Sequence, residues 1–162
     1  MNELLPLARD VAEALKARRA TVAVAESSTG GLISAMLLAV PGASAYFLGG
    51  GVIYTVAARR ALLGITDETM RGLKPLSLDY VGLCARTVRE KLGATWGVGE
   101  LGATGPAGTR YGHPPGISVL AVDGPLLLTR PVETGSDDRE ANMRAFTRAA
   151  LELLLEAVTK AG

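Results

Sequence analysis

The run Thr21-Val22-Ala23-Val24-Ala25, the junction Glu26-Ser27-Ser28-Thr29-Gly30-Gly31 and the apolar segment from Leu32 to Ala39 decide the fold of this chain. The first reads as a buried strand, because it is short and almost wholly apolar. The second breaks it with hydroxyl residues and two glycines. The third reads as a helix that stops at Pro41-Gly42. A strand turning sharply into a helix is the building unit of α/β proteins.

Reading outward, Leu4, Leu5, Leu7, Ala8, Val11 and Leu15 trace one face of a helix over residues 3–18. Downstream, residues 47–54 predict a second strand, and residues 57–63 a short helix ended by Gly64. Thr66-Asp67-Glu68-Thr69 has the form of a helix start, with Thr66 as cap and acidic residues in the first turn. Ser77 is placed to cap a longer helix that reaches Lys91 and ends at Gly93. Strands follow over 95–101, 117–123 and 126–134, the last two joined through Asp123-Gly124-Pro125 as an antiparallel hairpin. A final helix spans about 138–160. Alternation first and a hairpin later predict a mixed sheet with helices on both faces, in one α/β domain over residues 1–162 without linker or repeat.

Composition narrows the function classes. Nearly half of the 162 residues are apolar and a fifth are charged, a globular balance. A net charge of +1 gives no overall field for nucleic acid or a membrane surface, so neither is expected as a partner. The single Cys84 excludes an intrachain disulfide, and its helical spacing with Val81 and Val88 predicts a core position. With one histidine, His113, no multi-histidine metal site exists, and no metal or cofactor is expected. The apolar runs are too short to span a bilayer and the first residues carry no signal-like pattern, which predicts a cytoplasmic protein.

Three segments can carry chemistry. At 26–31, a hydroxyl on a strand-to-helix junction is placed either to cap the helix or to act as a nucleophile beside the helix N-terminus. The glycine-rich stretch from Gly102 to Gly116 is long for a connection and reads either as a ligand-binding loop or as a surface turn; Arg110 adds positive charge there. Tyr54-Thr55-Val56-Ala57-Ala58-Arg59-Arg60 closes the second strand, with its arginines read as solvated in the absence of other information. Gly97-Val98-Gly99-Glu100-Leu101-Gly102 matches G-x-G-x-x-G in letters only. A loop follows it, whereas a dinucleotide fingerprint opens a helix.

These segments, in this order, resemble the C-terminal domain of the CinA family of nicotinamide-mononucleotide amidohydrolases. The resemblance rests on Ala25-Glu26-Ser27-Ser28-Thr29-Gly30-Gly31, on Val40-Pro41-Gly42-Ala43-Ser44-Ala45-Tyr46-Phe47 and on Ala61-Leu62-Leu63-Gly64-Ile65, with weaker echoes at Gly105-Pro106, Pro115-Gly116 and Asp138-Arg139. It implies a three-layer α/β/α sandwich, a homodimer of a stand-alone type, and metal-free hydrolysis of nicotinamide mononucleotide to nicotinic acid mononucleotide and ammonia. Carried over by position, it implies Ser27 as nucleophile, with Tyr54 and the residue at 59 as its catalytic companions. It implies substrate contacts from Glu26, Ser28, Thr29, Gly30, Gly31, Thr104, Gly105, Arg110 and Arg144. The family's lysine base is Arg59 here, which stays protonated and cannot accept a proton. Its asparagine, threonine or serine, and arginine positions are Val56, Leu101 and Met143. The resemblance therefore implies either a nucleotide amidase or an inactive relative that binds a nucleotide or a protein partner. A third reading, with Glu26 or His113 as base, lacks an orienting partner for the histidine.

Overall fold

Val22 and Val24 of strand β1 (Val22–Glu26) face one side of the sheet, while Ala23 and Ala25 face the other, as pleating requires. Each pair enters a separate core, so the strand is covered twice and reads as an unbroken apolar run. The computed structural model describes residues 1–162. Five strands, with β2 (Phe47–Val52), β3 (Trp96–Ala103), β4 (Ile117–Asp123) and β5 (Leu127–Glu133), form one sheet in the order β2-β1-β3-β4-β5. β2, β1 and β3 run parallel; β4 and β5 return antiparallel.

Helices α1 (Leu5–Ala17), α2 (Leu32–Leu38) and α5 (Arg139–Lys160) cover one face, around Leu4, Ile33, Trp96, Leu120 and Leu154. Helix α4 (Leu78–Leu92) covers the other, around Ile53, Val81, Cys84 and Leu101. The result is a three-layer α/β/α sandwich with a mixed sheet, as expected. No helix is long and apolar enough to cross a membrane.

Gly97 and Gly99 set the height of α4 above the sheet. A Cβ at 97 would run into the Ala85 carbonyl oxygen, and one at 99 would lie 2.6 Å from that of Val81. The letters of the apparent dinucleotide motif thus serve helix–sheet packing inside a strand. Ser77 caps α4 by accepting from Tyr80 N, as the sequence indicates, and Asp138 caps α5 by accepting from Ala141 N. Gly93, at φ +64°, ends α4.

Two expectations change. Thr66 Oγ1 does accept from Thr69 N at 3.2 Å, but the chain makes only irregular turns before Gly72 and Pro75 interrupt it. The cap forms and no helix follows. The short helix after β2 starts one residue early, as α3 (Val56–Ala58), and widens into a π-helical turn over Arg59–Leu63. That turn carries the buried Arg59 against α4 rather than leaving it solvated.

Candidate functional site

The loops that leave the carboxyl ends of the three parallel strands meet at one edge of the sheet, where open α/β sheets build their ligand sites. Between them, on the α4 side, lies a cleft of about 580 Å³. Of the residues named from sequence, Ser27, Tyr54, Arg59 and Arg110 all line it, joined by Leu101, Tyr80 and Tyr111.

The junction distributes its side chains to three places. Ser27 is half-buried and faces the cleft. Ser28 and Thr29 point the other way, into a buried polar cluster on the α2–α5 side, as do the side chains of Glu26 and Glu100. Gly30 and Gly31 adopt positive φ and border a separate depression of about 380 Å³, shared with Met143 and Arg144. A Cβ on Gly30 would sit 3.2 Å from the Met143 methyl, so the glycine lets α5 approach the turn.

Glu26 is fully buried and committed. Its carboxylate accepts from Ile33 N (3.0 Å), Ser34 N (3.0 Å), Ser34 Oγ (2.8 Å) and Thr29 Oγ1 (2.5 Å). It closes the junction over α2 rather than reaching a substrate, which corrects the contact expected of it. Ser28 and Thr29 are corrected likewise: both are buried, and both bond Glu100.

Glu100, on β3, escaped the sequence reading. Its Oε2 accepts from Ser27 N at 2.9 Å and Thr29 N at 3.1 Å, and its Oε1 is hydrogen-bonded to Ser28 Oγ. Burial holds its carboxyl above the usual glutamate range, opposed by those hydrogen bonds. The available signal was a lone acidic residue inside a strand otherwise built of apolar residues and glycine.

Arg59 is 6% exposed, and its charge is already engaged. Its Nε donates to Ile65 O at 3.2 Å and its Nη2 to Asp67 Oδ1 at 2.7 Å. Arg60 also pairs with Asp67, and the two guanidiniums hold that exposed carboxyl below its usual range. Arg59 therefore anchors the π-helical turn while one edge borders the cleft. Behind it, burial raises the Tyr80 hydroxyl and pushes the Cys84 thiol up to about 12, so this cysteine is an inert core group.

The rim is polar. Arg139 donates to Gly105 O at 2.6 Å and to Tyr54 Oη at 3.4 Å, tying the long loop to the end of β2. Asn142 donates to Thr104 O at 2.9 Å. Thr104 and Gly105 are thus held by α5 through their carbonyls and lie outside the cleft lining. Arg110 donates to Tyr111 Oη and lies 5.0 Å from that ring's centre. Arg144 does not join the cleft: it pairs with Glu140 at 2.8 Å and with Glu3 at 3.7 Å, about the other depression. His113 Nδ1 meets Thr109 Oγ1 at 3.0 Å within its own loop. No three His, Cys, Asp or Glu side chains gather to hold a metal ion.

The cleft can bind more readily than it can transfer protons. Arginine and tyrosine are its titratable lining groups, together with hydroxyls from Ser27, Thr55 and Thr109. Neither side chain is a general base at neutral pH.

Comparison with known proteins agrees with this architecture. The family model of the CinA C-terminal domain matches residues 4–158. A CinA-like protein of Desulfosudis oleivorans is 39% identical over 151 residues, covering 93% of this chain and 37% of its own. One from Desulforapulum autotrophicum is 34% identical over 154 residues, covering 94% and 36%. The chain thus spans little more than a third of the length of these relatives. Among solved structures, a CinA superfamily protein of Klebsiella pneumoniae superposes with a TM-score of 0.89 at 28% identity, covering 96% of this chain and 98% of that one. The competence/damage inducible protein CihA of Agrobacterium tumefaciens gives 0.87 at 30%, covering 96% and 95%. By sequence and by fold, this chain belongs to the CinA C-terminal domain family.

Proposed function

We propose that the Ser27 cleft binds a small ligand with a planar ring and an anionic group, of the nicotinamide-mononucleotide class, and does not hydrolyse it. The observation that carries this reading is the cleft's lining. Arg110 supplies positive charge, Arg59 borders the wall with its own charge paired to Asp67, and Tyr54, Tyr80 and Tyr111 supply aromatic surface, with no lysine, histidine or carboxylate among them. Guanidinium groups suit phosphate, and tyrosine rings suit a planar heterocycle. Ser27 stands where a nucleophile would stand, but the group at 59 stays protonated, and a missing general base costs about 100- to 10,000-fold.

A second reading retains the amidohydrolase. It is favoured by Ser27 facing the cleft from a strand-to-helix junction. Two measurements separate them. Nicotinamide mononucleotide at about 100 times its dissociation constant is expected to raise Tm by roughly 5–10 °C, corresponding to about 2.7 kcal/mol. Arg110→Ala is expected to weaken that binding about tenfold or more. Ammonia release by the unmodified protein is expected to equal that of Ser27→Ala. Release clearly above that control would establish the second reading, and the absence of any thermal shift would remove the first.

A further inference from the structure

We propose that Glu100 keeps its proton at neutral pH, and that this neutral carboxyl is the positioning residue holding Ser27 at the cleft. The hydroxyl hydrogens around the two carboxyls are too few to serve both. Thr29 Oγ1 lies 2.5 Å from Glu26 Oε2 and 3.0 Å from Glu100 Oε2, yet it has one proton to give. Glu26 takes it at the shorter distance. Ser118 Oγ gives its own proton to Leu101 O at 3.0 Å, the nearer of its acceptors, with Glu100 Oε1 at 3.3 Å.

Two buried carboxyl groups therefore converge on one hydroxyl, and every group bonded to either of them is neutral. The partners of Glu100 are the N–H groups of Ser27 and Thr29 and the hydroxyls of Ser28, Thr29 and Ser118. Those of Glu26 are Thr29, Ile33 and Ser34. No lysine, arginine or histidine bonds to either one. Two adjacent charges in a low-dielectric interior cannot both persist without a cation, so one carboxyl keeps its proton. Glu26 is the more fully served acceptor, because two N–H and two O–H groups point at it. Glu100 holds the proton on Oε1, towards Ser28, while its Oε2 receives the Ser27 and Thr29 amides. Burial favours the same assignment, since it raises Glu100.

Glutamine at 100 reproduces this neutral state: its oxygen accepts the two amides and its NH₂ turns to Ser28 and Ser118. The sign of the pH dependence follows. A carboxyl whose folded value is raised contributes stability fully below the unfolded value and loses it as pH climbs through the folded one. Glu100→Gln is therefore expected to gain several degrees in Tm over the unmodified protein, the difference opening above the ordinary glutamate range.

The deciding experiment is a carboxyl ¹³C and amide ¹⁵N NMR titration of the free protein, alone and as Glu100→Gln, with no ligand required. We expect the Glu100 carboxyl to remain protonated at pH 7 and the Ser27 and Thr29 amide signals to move as it ionises at higher pH. That movement should vanish in the glutamine variant. A Glu100 carboxyl that titrates at or below the ordinary glutamate range would overturn the proposal. So would amides at 27 and 29 that stay still while it titrates. Since both readings concern the unmodified protein, poor folding of the variant would not obscure either result.

Discussion

Gly97→Val is expected to leave no stably folded protein. Position 97 lies on β3, in the middle of the sheet, with its α-hydrogen against the underside of α4. A Cβ there would meet the Ala85 carbonyl oxygen and stand 2.8 Å from Arg89 Cβ. The obstacle is helix backbone, which cannot turn aside as a side chain can. Overfilling a core costs about 1–3 kcal/mol where side chains give way. Lifting α4 would also pull its Val81, Cys84 and Val88 away from Ala23, Ala25, Leu101 and Ala121 of the sheet beneath it. We therefore expect Gly97→Ala to lose about 3 kcal/mol or more by chemical denaturation, and valine to exceed the roughly 5–15 kcal/mol of a typical domain's stability. Gly82→Ala on α4 itself meets nothing within 4 Å and should gain up to ~1 kcal/mol. A tolerated alanine at 97 would mean that α4 does not rest on β3 at this height.

The second large effect is expected at Glu26. Leucine there has similar bulk and excludes water, but it leaves four donors from Thr29, Ile33 and Ser34 without their acceptor. A buried donor without a partner costs ~1–3 kcal/mol, so Glu26→Leu should lose about 3–5 kcal/mol. Glu26→Gln keeps one accepting oxygen and should lose about half as much. Urea denaturation of the two variants distinguishes this from a merely electrostatic role, in which leucine would be tolerated at least as well as glutamine. Loss of Glu26 also releases the turn that presents Ser27, so the thermal response to nicotinamide mononucleotide should disappear with it.

The architecture was legible because its signals are local. The apolar run at 22–25, the cap Ser77 and the stop at Gly93 each act within a few residues, and strands and helices begin and end close to where those signals fall. The start at Thr66 misled because a cap satisfies one amide whatever the chain does next, and Gly72 intervenes. Much of the site was not legible, since its logic crosses the sheet. Glu26 looked like a ligand contact until its carboxylate was seen to accept from the first turn of α2. Glu100 lay unnoticed in a glycine-rich strand because its partners are more than 70 residues away, at Ser27, Ser28 and Thr29. Arg59 could be recognised as unable to serve as a base, but not as an anchor, because its partner Asp67 belongs to a segment read as helix. Arg144 falls one helical step from Met143, and that step turned out to select Glu3 and Glu140 as its company.

The two apolar cores are unequal, with 24 buried residues beneath α1, α2 and α5 and 13 beneath α4. Fluctuation is then lopsided: the lighter half breathes first, and amide hydrogens of α4 should exchange with deuterium at lower opening free energy than those of α1 or α5. The cleft is seated over that softer half, against Tyr80, so an occupant would act as a brace for it. Slower deuterium uptake along α4, with α1 unchanged, would be the fingerprint of a filled cleft.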